Sequence, residues 1–144
     1  MYKQIVSQLR EIGTPACIAQ AASMERSASD NLHLRNLDLT ASDIAAIAMA
    51  MNDNDRISSV SFSYNRSLGD HGALALMAKL PTSIVEIGLV ACGIGDLGGK
   101  AILDWVKKSP HLRMVCIEQN GFSASLRSAF QQINHERPGM TLVV

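Results

Sequence analysis

Charge of one sign is missing from this chain. Lys+Arg number 13 and Asp+Glu number 13 in 144 residues, so the net charge is zero. Nucleic acids and anionic membranes are bound largely through excess positive charge, and no run of basic residues supplies it locally, so neither is expected as a partner. Cysteine is sparse. Cys17, Cys92 and Cys116 are an odd set with no metal-ligand spacing, which excludes a disulfide framework and a zinc site. His33, His71, His111 and His135 lie far apart and form no ligand set. No apolar run approaches the length of a membrane span. Residues 1–13 carry Lys3, Arg10 and Glu11 among apolar positions and read as an amphipathic helix, not a signal peptide. The expectation is a soluble, cytoplasmic protein without cofactor or metal.

What is present is a repeated apolar pattern. With 47% apolar and 18% charged residues, one domain with a sizeable core is expected. The template L-x-x-L-x-L-x-x-N/C/S-x-L fits four times. It fits from Leu34 (Leu37, Leu39, Ser42, Ile44) and from Ile57 (Val60, Phe62, Asn65, with Leu68 one place late). It fits again from Ile84 (Ile87, Leu89, Cys92, Ile94) and from Leu112 (Val115, Ile117, Asn120, Phe122). The starts lie 23, 27 and 28 residues apart, a period typical of stacked units that share one core. Within each unit the spacing changes from 2 to about 3.6, so a strand, a turn and a helix are expected. The strands are placed at Leu37–Leu39, Val60–Phe62, Ile87–Leu89 and Val115–Ile117. The first unit looks short, with its helix over 43–51. Leu68-Gly69-Asp70-His71-Gly72 and Ile94-Gly95-Asp96-Leu97-Gly98 are nearly one phrase, in which the aspartate is expected to cap the helix it opens. Two helices over residues 1–31 are expected to cover the first unit, and Met140–Val144 to add a terminal strand.

These residues resemble the ribonuclease-inhibitor-like class of leucine-rich repeats. The resemblance implies an α/β solenoid, a right-handed βα superhelix with its parallel sheet on the concave side. The helical cap would be 1–31 and the repeat domain 32–144, with four repeats plus a terminal strand. It also implies a non-catalytic role in protein–protein recognition. The ladder positions would be Ser42, Asn65, Cys92 and Asn120, whose side chains turn inward to bond the loop backbone.

Function is expected on the concave face. Its columns would be Asn36, Asp38, Thr40 and Ala41; Ser59, Ser61, Ser63 and Tyr64; Glu86, Gly88, Val90 and Ala91; and Met114, Cys116, Glu118 and Gln119. Asn36, Asp38, Ser61, Tyr64, Glu86, Met114, Glu118 and Gln119 are the contact residues expected to bind another protein, with Tyr64 and Met114 as anchors. The bland reading is a solvated sheet surface. A second reading is an assembly or regulatory subunit docking by its convex helices or by its edge, with self-association through residues 140–144. A third is a regulator of GTPases, as in the Ran GTPase-activating protein family, or a repeat effector. No motif carries the former, and no F-box accompanies Gly72-Ala73-Leu74-Ala75 for the latter. Three further features have simpler structural readings. Cys116 lacks a cation in its columns to activate it. The Gly93-x-Gly95-x-x-Gly98 run is already explained by the repeat. Trp105 is read as packing between units, or less readily as a convex contact.

Overall fold

A computed structural model describes residues 2–53 and 55–144, so Met1, the first residue of the expected amphipathic segment, lies outside the described residues. Five strands pair in parallel in chain order: β1 (Asn31–His33), β2 (Ser59–Ser61), β3 (Glu86–Gly88), β4 (Met114–Cys116) and β5 (Thr141–Val143). Parallel neighbours require a crossover, and a helix supplies each one: α3 (Ala41–Met49), α4 (Gly69–Met77), α5 (Asp96–Lys107) and α6 (Ala124–Glu136). Before β1 come α1 (Lys3–Ile12) and α2 (Pro15–Arg26). Leu32, Val60, Ile87, Val115 and Leu142 stand side by side in register and are all buried. They share one core with Ile44, Ile47, Leu76, Ile102, Val106 and Phe130 of the helices. The residues flanking each central one are exposed or half-buried. One sheet face is therefore covered by helices and the other is open. Among the described residues no helix is long and apolar enough to cross a membrane.

The first unit corrects the expected register. Leu37-Asp38-Leu39 is not a strand. β1 lies five residues earlier, so that Leu32, not Leu37, pairs with Val60. Both Leu32/Leu34 and Leu37/Leu39 alternate, and periodicity alone does not separate them. Backbone geometry does: Asn36 and Asp38 have φ of 53° and 54°, in the left-handed region that ends a strand and that Asn and Asp tolerate best. With β1 in place, corresponding strand residues lie 28, 27, 28 and 27 apart, and the short first unit disappears.

The same turn recurs in every unit. Asn36, Tyr64, Ala91 and Gln119 all have positive φ, at 53°, 66°, 52° and 63°. Each is followed by an inward residue: Leu37, Asn65, Cys92 or Asn120. Asn65 is fully buried and makes four bonds. Its Oδ1 accepts from the N–H of Leu37 (3.1 Å) and Leu39 (3.0 Å), and its Nδ2 donates to the carbonyls of Leu34 and Phe62 (2.8 Å each). Asn120 does the same one pair of units later. It accepts from Cys92 and Ile94 and donates to the carbonyls of Leu89 and Ile117. Between these two, the Cys92 thiol donates to the Phe62 carbonyl (3.3 Å). Ser42 is not on this ladder. It is exposed on the first turn of α3, and Leu37 occupies the equivalent place in the first unit.

The aspartates of the repeated phrase also act between units. Asp70 does not cap α4. Its Oδ1 accepts from the N–H of Gly95 (2.9 Å) and Gly98 (2.8 Å), which caps α5 from the preceding unit. Asp96 Oδ1 likewise accepts from Ser123 N–H at the start of α6 (2.8 Å), and the Ser123 bonds hold its carboxyl below its usual range. A methyl on Gly98 would lie 2.7 Å from Ile94 and 2.9 Å from Ala73 of α4. The glycine thus permits close approach between neighbouring helices. At the opposite end Trp105 is buried and its indole donates to the Leu80 carbonyl. The Arg137 guanidinium donates to the Val106 and Ser109 carbonyls at the end of α5.

The two ends of the sheet are covered differently. α1 and α2 are joined at Gly13, which has φ 77° and donates to the Leu9 carbonyl. α2 is capped by Thr14 Oγ1, which accepts from Cys17 N–H, and has proline at its first position. Ile5, Leu9, Cys17 and Ala21 carry the core beyond β1, and Gln20 donates to the His33 carbonyl. Tyr2 is buried, and its hydroxyl donates to the Arg56 carbonyl. At β5 the Leu142 N–H donates to Asn134 Oδ1 (3.2 Å), and Asn134 Nδ2 donates back to the Leu142 carbonyl (3.5 Å).

Two stability predictions follow from these contacts. Asn65→Ala leaves buried donors and acceptors without partners, each costing about 1–3 kcal/mol, so urea unfolding should show a loss of at least about 3 kcal/mol. A loss under about 1 kcal/mol would contradict the role assigned to the amide. Burial, then the charges of Asp55 and Asp30, push the Tyr2 phenol up to about 12. Folding favours the neutral phenol, so its contribution is complete below the ordinary value of about 10 and is lost as pH rises toward 12. Alkaline thermal melts should fall across that window in the wild type, whereas Tyr2→Phe should lack that component of the fall.

Candidate binding face

The open face is built from rows that run across the strands. Sequence position relative to the paired register defines them. The first row is Asn31, Ser59, Glu86, Met114 and Thr141. The second is His33, Ser61, Gly88, Cys116 and Val143. Just past the strands lie Arg35, Ser63, Val90 and Glu118, and then the left-handed residues Asn36, Tyr64, Ala91 and Gln119. The face holds a shallow depression of about 340 Å³, with His33, Arg35, Tyr64, Glu86, Met114 and Glu118 on its lining. Gly88 helps to form it, since a methyl there would meet the Ser61 and Ser63 hydroxyls at 3.0 Å.

Most of the expected contact residues meet here. Ser61, Tyr64, Glu86, Met114 and Glu118 all line the depression. Tyr64 and Met114 are 36% and 38% exposed, high for large apolar side chains. Asn36 and Gln119 are exposed in the adjoining row of turns. Asp38 does not belong to the face. It lies beyond the inward-turning Leu37, in the loop before α3, because the first strand begins earlier than expected. Thr40 and Ala41 leave the face for the same reason, as they cap and begin α3. In their place come His33 and Arg35, which the expected register hid inside the preceding loop. The signal that would have found them is the interval itself: 23 residues against 27 and 28.

Polar contacts organise the face. Arg35 lies over the Tyr64 ring, its Cζ 5.7 Å from the centroid. Ser59 Oγ donates to Glu86 Oε2 (3.3 Å), and His33 Nε2 is 3.0 Å from the same hydroxyl. The serine has one proton and gives it to Glu86, so the imidazole is the donor to Ser59. That order is the reverse of nucleophile activation, in which the imidazole takes the serine proton. Glu118 Oε2 is buried without a hydrogen-bond partner among the described residues. Among the described residues the one ion pair is Arg10–Glu25, away from this face.

Asp70 and Arg137, away from this face, are engaged within the fold. Asp70 already occupies the N–H groups of Gly95 and Gly98, which a phosphate in a G-x-G-x-x-G loop would need. No group of three or more His, Cys, Asp or Glu is arranged to hold a metal ion among the described residues. A larger hollow of about 750 Å³ runs past His111, Arg113 and Arg137, but the Arg137 guanidinium there is engaged with backbone carbonyls. The chain matches no family model and no curated protein.

Cys116 is half-exposed on the face, whereas Cys17 and Cys92 are buried. Burial, then the charges of Glu118 and Glu86, push its thiol up, although the corrected register adds His33 and Arg35 to the same surface. The acids stand in the same and the adjacent unit, whereas His33 and Arg35 stand three units away. The thiol is therefore protonated at neutral pH. Alkylation by iodoacetamide at pH 7.5 should run slower than that of free cysteine, and the double variant Glu86→Gln/Glu118→Gln should react faster than wild type. A wild-type rate above that of free cysteine would refute this assignment.

Proposed function

We propose that this chain is a leucine-rich repeat protein of the ribonuclease-inhibitor-like class, a non-catalytic module that binds a protein partner through its concave sheet face. The observation that carries this reading is the open face itself. Aligned rows of side chains stand over a parallel sheet, with Tyr64 and Met114 exposed around a depression. The regular 27- and 28-residue register and the inward Asn65 and Asn120 support the family reading. The acidic neighbours Glu118 and Glu86 of Cys116 and the inverted order of His33, Ser59 and Glu86 favour recognition over chemistry. Exposed aromatic and methionine side chains are enriched at binding hot spots.

Docking or self-association through residues 140–144 is the weaker reading. An edge strand pairs through its outward N–H and C=O groups. Those of Leu142 are already held by Asn134.

The test compares wild type with Tyr64→Ala/Glu118→Ala and with Leu97→Ala, a control on α5 that is 58% exposed. Affinity capture from the native host, quantified by mass spectrometry, should lose a specific partner at least tenfold with the first variant and retain it with the second. Equal capture by all three would move the site off this face.

A further inference from the structure

The row just past the strands has a charge order that the face as a whole conceals. Arg35 stands at one end, Ser63 and Val90 in the middle, and Glu118 at the other end. Ser63 and Val90 are buried at 3% and 7%, so the middle of the row is low and without charge. Arg35 is steadied over Tyr64, with no ion-pair partner among the described residues. Glu118 has one carboxylate oxygen shielded from water with no hydrogen-bond partner among the described residues. A buried acceptor in this state is costly unless a donor reaches it. The row is thus a cation and an under-satisfied carboxylate separated by three strand spacings, about 14 Å at about 4.8 Å each.

We propose that the occupant is an extended segment of a partner protein that lies across the strands along this row. It carries a Lys or Arg that reaches Glu118 and an Asp or Glu that reaches Arg35, four residues apart. The spacing comes from chain geometry. An extended chain advances about 3.3 Å per residue, so about 14 Å takes roughly four residues. Side chains of an extended chain alternate in direction, so residues i, i+2 and i+4 all face the sheet. The residue at i+2 then sits over Val90 and Ser63 and must be small or apolar. Glu86 lies in the first row and adds its charge to the side of the basic residue. This inference rests on the reading of the open face as a protein-binding surface.

A random peptide library displayed on phage, panned against the full chain, tests both claims and separates them. Enriched peptides are then measured by fluorescence anisotropy. The expected peptides bind in a Tyr64-dependent manner and carry opposite charges at i and i+4 with a small or apolar residue between. Glu118→Gln should weaken them at least tenfold, and so should replacing their basic residue with norleucine. The two changes together should cost little more than either alone, which identifies the pair as the interaction lost. Arg35→Gln paired with the acidic residue should behave alike. Thermal melts confirm that the variants fold. Tyr64-dependent peptides that lack the charge pattern, or that ignore Glu118→Gln, overturn the proposed occupant and leave the binding face standing. If no enriched peptide depends on Tyr64, the binding face falls as well.

Discussion

Everything in this molecule depends on the lateral registration of short strands. Each has three residues and buries only its central one, far too little to be stable alone. Stability comes from setting Leu32, Val60, Ile87, Val115 and Leu142 in one line and covering that line with helices. A slip of one residue would turn every central side chain to the open face. Inward polar side chains guard against such a slip. Asn65 bonds four backbone groups in two successive units, and its amide satisfies both its donors and its acceptor only in one alignment. Asp70 and Asp96 add the same constraint at the helix starts, and Trp105 and Arg137 at the helix ends. Each of these groups reaches into a neighbouring unit, so no unit is complete without the next.

That arrangement leaves most of the open face outside the contacts that hold the fold. The polar side chains that hold the fold act within the turns and at the ends of the helices. The residues on the open face contribute less to the core. His33, Ser61, Glu86 and Met114 are exposed or half-buried. Substitution there is therefore expected to alter the surface more than the stability. The exception is the row of left-handed residues. Tyr64, Ala91 and Gln119 hold backbone angles that cost about 1 kcal/mol or more each. Tyr64 serves both roles: its backbone turns Asn65 inward while its ring stands on the face beside Arg35.

Much of this was legible in the residues, and the failure was local. The strands, helices and inward positions of the second, third and fourth units follow from apolar spacing, because Val60, Ile87 and Val115 each begin a single unambiguous alternation. The first unit offers two alternations in succession, Leu32/Leu34 and Leu37/Leu39. Only the turn decides between them. The capping role of Asp70 was legible in type but not in target, since the carboxylate reaches a helix 25 or more positions away. Spacing within a segment carries no information about such a partner. The four left-handed positions were invisible for another reason: Asn, Tyr, Ala and Gln share no chemistry that marks a turn, and the conformation is imposed by the stack.

The five-residue correction changes the character of the face, not only its boundary. Under the expected register the first unit contributes Asp38, and the charged groups of the face are all acidic: Asp38, Glu86 and Glu118. Such a surface would attract any basic segment with little demand on its spacing. In the structure Asp38 lies off the face, and His33 and Arg35 stand on it in the first unit. The row just past the strands then has a positive end at Arg35 and a negative end at Glu118, three strand spacings apart, with Ser63 and Val90 between them. Opposite charges at a fixed separation discriminate by length as well as by sign, since a segment of the wrong spacing leaves one charge desolvated and unpaired. Registration of the strands, which the core requires for stability, thereby also sets the distance over which the proposed ligand is measured.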